Sequence, residues 1–307
     1  MTRPVTFLFI LFCIVVVLFY ITRDTTPELK TRQIVIHQTR AVDIDMFIGD
    51  WHDSEPRRKF GSLEVRDILT RCDGDPLRPE KKGAVLTDIN AVSYGVLEAN
   101  TATLPSSLDG VQLILYVDSG EGTITTNTST ARLGEGIGVL MPPGIEFTMK
   151  NTGNSELAMY IIEEPIPDYF IPKQRMIVKN EYDNPISTNI RRVNDSRKWL
   201  FDRYDGLSTL VGLNPIMWEP RSYYPPHVHR EGEEEIWIEV RGEVLVQLGN
   251  KRRMFPAGSA YKVPPDRRTP HTNINTSEVS RKLLWLMKAP VSEVPANTAP
   301  RPLQDMI

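Results

Sequence analysis

Short apolar runs, each cut off by Gly, Pro, Asn or Ser, set the pattern of this chain. Runs of this length with partial period-two alternation predict β-strands. One set falls at residues 113–117, 122–126, 137–141, 147–151 and 157–162, and a second at 235–240, 243–248, 260–263 and 283–287. Nothing between them carries the 3.6-residue apolar period of a long amphipathic helix. Many short strands separated by turn residues predict an all-β sandwich or barrel.

The two sets repeat one another. Gly120 is followed 16 residues on by Gly136 and 22 residues on by Pro142-Pro143; Gly242 is followed at the same intervals by Gly258 and Pro264-Pro265. A period of about 120 residues is too long for a solenoid, so it implies two tandem copies of one domain.

The N-terminus departs from this pattern. Residues 5–21 are apolar apart from Thr6. As a helix they would extend about 25 Å, at the short end of what a ~30 Å hydrocarbon core needs. The run ends in Phe19-Tyr20-Ile21-Thr22-Arg23, without the small residues of a cleavage site, and Tyr20 and Arg23 read as interface anchors. The expectation is one uncleaved transmembrane helix and a single-pass membrane protein. Arg3 weighed against Arg23, Lys30, Arg32 and Arg40 places the rest in the cytoplasm. The very short N-terminal tail resembles an export signal and favours the extracytoplasmic side, which is the reading adopted. The segmentation is then a membrane anchor at 1–22, a juxtamembrane spacer and arm packing on the first barrel at 23–90, barrel 1 at 91–165, a connector at 166–205, barrel 2 at 206–290 and an extended tail at 291–307.

Charge and cysteine narrow the partners. The net charge is −3, with no Lys/Arg block or aromatic-basic stripe, which excludes nucleic acid as the expected partner. Cys13 lies in the membrane run and Cys72 stands alone, so no intrachain disulfide is available. The assembly is left open, with a homodimer among the options.

The chemistry gathers in the second copy. Three of the five histidines, His227, His229 and His271, fall within about 45 residues, together with Glu235. Histidines at i and i+2 share one face of a β-strand. Neutral imidazoles and a carboxylate suit one divalent transition metal: Fe, Mn, Ni, Cu, Co or Zn. Glu233 and Glu234 lie nearer the histidines, but Glu235 alone keeps six residues before Gly242, and strand register favours it; Glu234 stays as the alternative. His52, between Trp51 and Asp53, is a weaker candidate for a second metal site.

These residues resemble a family. His-x-His, then Glu, six residues and Gly is similar to the first motif of the cupin superfamily. Gly258, five residues, Pro264, then His271, three residues and Asn275 resembles its second motif, as does Gly136, five residues, Pro142-Pro143-Gly144, Phe147 and Asn151. The resemblance covers about residues 91–165 and 206–290. It implies two tandem cupin-type jelly-roll barrels, a bicupin, behind the transmembrane helix. Leu113 and Phe147 stand where the first copy would carry ligands, so the resemblance implies apolar filling there and one ion, in the second copy. The second motif carries Asp266 where Gly is usual, with two extra residues and hence a longer loop.

Strand alternation supplies candidate pocket residues. Trp237 and Glu239 share a face with Glu235; Trp237 would wall the pocket, and Glu239 would act as acid or base, orient a ligand histidine, or end its strand in solvent. Tyr261 heads for the metal end. Arg268, with Arg267, stands near His271 and would hold a carboxylate bidentately. The function expected is that of a membrane-anchored, metal-binding bicupin, a dioxygenase-like enzyme acting on a small oxygenated organic molecule. The alternatives are an isomerase or decarboxylase, and a non-catalytic protein that binds or senses a small ligand at a metal-assisted site.

Overall fold

The computed structural model describes residues 42–186 and 195–288. The expected membrane anchor at 5–21 and the tail from 291 lie outside the described residues, among which no helix is long and apolar enough to cross a membrane. Helix there is limited to three single 3-10 turns, Ile44–Phe47, Trp51–Asp53 and Glu181–Asp183; the rest is strand and loop.

Two β-sandwiches result, each a large sheet facing a three-stranded one. In the first, the large sheet runs in the order Ile177–Asn180, Ile137–Met141, Val111–Ser119, Leu157–Pro165, Ala91–Leu97, Leu63–Arg71 and Arg57–Lys59, with Ala84–Leu86 parallel beside Leu63–Arg71. Its partner sheet is Phe147–Asn151, Gly122–Thr126 and Thr130–Leu133. In the second, the order is Ile48–Asp50, Ser259–Lys262, Glu234–Arg241, Arg281–Lys288, Leu210–Trp218 and Asp195–Arg197, with Phe201–Asp202 also on Leu210–Trp218. The smaller sheet is Lys251–Pro256, Glu243–Leu248 and His271–Ile274.

The glycines at the 16-residue interval explain the repeat. Gly136 and Gly258 both sit at positive φ, +80° and +99°, a region costly for any residue with a Cβ. Asn151 and Asn275 close equivalent turns. The amide of Asn151 donates to the carbonyls of Leu97 and Ser155, and that of Asn275 to the carbonyls of Trp218, Glu219 and Val279.

The interior of barrel 1 is apolar, packed with Leu113, Leu115, Val117, Met141, Phe147, Met149, Met159 and Ile161. Phe147 and Leu113 fill the places where ligands would stand, as the sequence implied, and side-chain filling is what a barrel of this size requires. The outer face of the same large sheet, with Tyr94, Tyr116, Leu140, Tyr160 and Ile162, belongs to one cluster with Leu213, Ile236, Ile238, Leu284 and Leu286 of barrel 2. Strands buried on both faces read as unbroken apolar runs rather than strict alternation.

Residues 41–90, expected as an arm on barrel 1, do more than pack. Strands Leu63–Arg71 and Ala84–Leu86 join the first large sheet, whereas Ile48–Asp50 pairs with Ser259–Lys262 at the edge of barrel 2. The connector does the reverse: Ile177–Asn180 pairs with Ile137–Met141 of barrel 1. Each copy thus lends an edge strand to the other.

Two buried carboxylates, on neighbouring strands of the repeat, each hold the turn that leads into the other barrel. Glu234 accepts from the amide and hydroxyl of Thr87, both at 2.7 Å, and from the amides of Asp88 and Ile89, with Lys262 Nζ at 2.8 Å. Glu164 accepts from the amide and hydroxyl of Thr209 at 2.6 and 2.9 Å and from the amides of Ser208 and Leu210.

Candidate metal centre

His227 and His229 do not sit within a ladder strand, as the i, i+2 argument supposed. They lie on an extended segment tied to the strand His271–Ile274 by an isolated bridge. The His227 amide donates to the His271 carbonyl at 3.3 Å and the His271 amide returns to the His227 carbonyl at 2.9 Å. Glu235 enters from Glu234–Arg241, one residue after the carboxylate that holds Thr87. Alternation sends the two in opposite directions, and this resolves the choice between them: Glu235 faces the histidines and Glu234 faces the other barrel.

The four groups converge. The three Nε2 atoms stand 3.1 to 3.3 Å apart, Glu235 Oε2 lies 2.7 Å from His229 Nε2 and 2.9 Å from His271 Nε2, and all four ligand atoms fall within 4.8 Å of one another. Each Nδ1 has its own partner: the Pro225 carbonyl at 3.1 Å for His227, Glu233 Oε2 at 3.0 Å for His229, and Tyr261 Oη at 3.2 Å for His271. The Tyr261 hydroxyl donates to Asn273 Oδ1 at 3.0 Å, which leaves its lone pairs for His271. With Nδ1–H so committed, a neutral imidazole turns its Nε2 lone pair inward.

This arrangement fits a metal ion. Three inward lone pairs and a carboxylate oxygen repel one another unless a cation lies between them. Glu235 Oε2 is buried and stands at hydrogen-bond distance from two histidines without a hydrogen-bonded alignment to either. Bonds of about 2.1 Å to imidazole would set neighbouring ligands about 3.0 Å apart on an octahedron and about 3.4 Å on a tetrahedron, which brackets the spacing of the three Nε2 atoms; Glu235 Oε2 stands somewhat closer to two of them. Electrostatics agrees at Glu235 and His227. Burial would raise Glu235, but His271 and His229 outweigh it and hold the carboxyl well below its usual range. Burial, then His271, lowers His227. At His229 burial acts downward but Glu235 and Glu233 prevail and raise it.

In front of the cage lies a cavity of about 220 Å³, lined by Arg197, Tyr224, His227, His229, Glu235, Trp237, Trp285 and Met287. That is below the ~300–1,000 Å³ of sites for drug-sized ligands. Trp237 is on the wall, as alternation predicted. Trp285 was not foreseen: its indole N–H donates to Glu235 Oε1, fixing the carboxylate from behind.

Three expectations need correction. Arg268 is exposed and does not line the cavity. Asp266 organises its loop, accepting from the amides of Arg268 and Thr269 and from the Thr269 hydroxyl, and Arg267 takes the left-handed position there. Tyr261 is fully buried behind His271 and orients it rather than facing the cavity. Glu239 neither ends in solvent nor orients a ligand histidine. It is 2 % exposed and neither carboxylate oxygen has a partner among the described residues. Burial raises its carboxyl well above the usual range, against a weaker pull from Arg281. His52 pairs with Asp50 at 2.6 Å and stacks on Trp51; no second group of metal-ligating side chains occurs among the described residues.

Sequence reasoning also missed Arg197. It belongs to the short edge strand Asp195–Arg197, which pairs with Leu210–Trp218. Its guanidinium carbon lies 4.5 Å from the Trp285 ring centre, and its Nε and Nη1 are buried without acceptors among the described residues. A ring face offsets about 0.5–2 kcal/mol, less than the several kcal/mol that burying an ion costs.

Fold and site together define a double-barrel β protein with one complete three-histidine, one-carboxylate cage. Residues 216–287 match the model of the cupin domain. No curated protein sequence matches the chain. Among solved structures it is similar to a Pseudomonas aeruginosa protein described as glyoxylate-induced (15 % identity, TM-score 0.61, covering 80 % of this chain and 85 % of that one). It is also similar to vicilin from hazelnut, Corylus avellana (12 %, 0.58, 81 % and 86 %), and to oxalate decarboxylase from Lactobacillus farciminis (11 %, 0.59, 80 % and 86 %). At these identities the likeness carries the fold alone.

Proposed function

We propose that the protein is a metal-dependent enzyme, dioxygenase-like, acting on a small oxygenated organic molecule that reaches the ion through the cavity. The observation that carries this is that the cage is not sealed: two ligand histidines and Glu235 line a cavity of about 220 Å³. A metal held only for stability needs no such access, and barrel 1 folds around apolar side chains in the same places. His227, His229, Glu235 and His271 would hold the ion, which supplies Lewis acidity and, if redox-active, reaction with dioxygen.

The chain's own groups position and exclude. Trp237, Trp285 and Met287 wall the cavity and keep water from the reacting end, which strengthens each electrostatic contact there. Glu233, Tyr261 and the Pro225 carbonyl hold the imidazoles in one tautomer. Apart from the cage residues, Tyr224 and Arg197 are the only ionisable groups lining the cavity among the described residues. This scarcity of proton donors favours oxidation over the isomerase or decarboxylase alternative. In this reading the apolar run at residues 5–21 tethers the enzyme to a membrane.

The test is oxygen uptake and product formation by purified full-length protein loaded in turn with Fe(II), Mn(II), Ni(II) and Cu(II), against diketones, hydroxy acids and catechols. Turnover should occur with at least one ion and vanish in the double variant His227→Ala/His271→Ala. Silence of every loaded form, alongside tight ligand binding, would leave a binding protein instead.

A further inference from the structure

We propose that Arg197 anchors the carboxylate of a small organic anion in the cavity before the cage. This deepens the preceding reading by naming a substrate class for the same site. Arg197 is 4 % exposed, lines the cavity that His227, His229 and Glu235 also line, and has two N–H-bearing nitrogens with no acceptor among the described residues.

The fold shows how it treats cations that serve structure alone. Buried Lys262 has Glu234 at 2.8 Å and the Val85 carbonyl at 2.7 Å; buried Lys282 has Glu181 at 2.6 Å. Arg197 has an aromatic face, and its Nε and Nη1 have no acceptor among the described residues. Backbone pairing to Ile216 sets its direction, and the neighbouring Ser196 turns the other way to Glu219 at 3.0 Å. Trp285 lies against the guanidinium and is itself met edge-on by Trp199, so the side chain is held between a fixed strand and a fixed ring. The missing acceptor must therefore come to it.

Charge points to the same ligand. Among the described residues Glu235 is the only carboxylate lining the cavity, and it is turned to the histidines. With three neutral imidazoles and a divalent ion, the site and Arg197 together carry a net charge of about +2, which a dianion would balance. A planar guanidinium fork matches a carboxylate bidentately. The small cavity restricts the ligand to short dicarboxylates and oxo or hydroxy acids, with one carboxylate on Arg197 and a further oxygen free for the ion.

Calorimetric titration tests this with malonate and oxalate as probes and malonamide as the uncharged control, on full-length protein both metal-free and loaded with Zn(II). Replacing Arg197 by Met should weaken malonate binding by about 30-fold or more in both states. It should leave malonamide binding and bound zinc per chain unchanged and should not lower the melting temperature, since it removes a buried ion that only a ring face offsets. Arg197→Lys should fall between, and it serves if the Met variant does not fold. Unchanged malonate affinity in these variants, no anion binding by the parent, or equal affinity for malonate and malonamide overturns the proposal. The two readings fail separately. Arg197-dependent malonate binding without turnover sinks the enzyme and keeps the anchor; turnover of uncharged substrates indifferent to Arg197→Met does the opposite.

Discussion

Thr87 precedes Glu234 by 147 residues, yet its amide and its hydroxyl both reach one oxygen of that carboxylate at 2.7 Å. Lys262 lies against the same oxygen, and both charged groups are fully buried. The residue next to Glu234 is Glu235 of the cage. A single strand therefore carries, on its two faces, the clasp between barrels and the metal ligand.

Removing that clasp should cost stability without removing the cage. Glu234→Ala leaves Lys262 buried and unpaired, a loss of about 3–5 kcal/mol. Urea unfolding should show it, while metal per folded chain at low temperature stays near the parent's. A variant as stable as the parent would mean that the Thr87 turn and Lys262 find other partners.

Metal stoichiometry is the next expectation. Elemental analysis should find about one first-row metal ion per chain in the parent and near none in His227→Ala/His271→Ala, since each lost imidazole opens the cage. Two ions per chain would contradict the apolar interior of barrel 1.

The partners behind the ligands should tune affinity. Tyr261→Phe removes the acceptor of His271 Nδ1–H, and Trp285→Phe removes the donor to Glu235 Oε1. Each should weaken metal binding by about 10–100-fold in competition with a chelating dye, with the fold intact. Affinities equal to the parent's would show that the cage holds its own geometry.

Much of this was legible in the sequence, and the remainder has physical reasons. His227, His229 and His271 were found because ligand chemistry restricts residue type, and Glu235 because register couples position to face. Leu113 and Phe147 were legible as filling because apolar side chains replace ligands at matched spacing. Lys251–Pro256 was missed: it lies in the outer sheet with only Phe255 buried, so it carries no apolar signal. Arg197 was missed because an edge strand in a connector is defined by its neighbours in space. The exchanged strands were invisible for the same reason, since no local pattern records which barrel a short strand will join.

Glu239 gives a pH signature. Its carboxyl is raised in the fold, chiefly by burial, so the unfolded chain ionises first. The corresponding stability is complete below about pH 4.3 and declines as pH rises toward the folded-state value, by up to about 1.4 kcal/mol per pH unit. Glu239→Gln cannot ionise and should lose this slope, becoming the more stable form at pH 7. Parallel unfolding free energies for parent and variant from pH 5 to 8 would show that Glu239 is charged in the native state.

The exchange of edge strands limits how this chain can be shortened. Residues 48–50 complete the barrel that carries the histidine cage, although they precede the barrel filled with apolar side chains. A deletion that discarded the metal-free copy along with its leading arm would strip the working copy of its outermost strand and of the Thr87 contact. The barrel filled with apolar side chains is thereby a structural requirement of its neighbour, whatever chemistry it lacks itself.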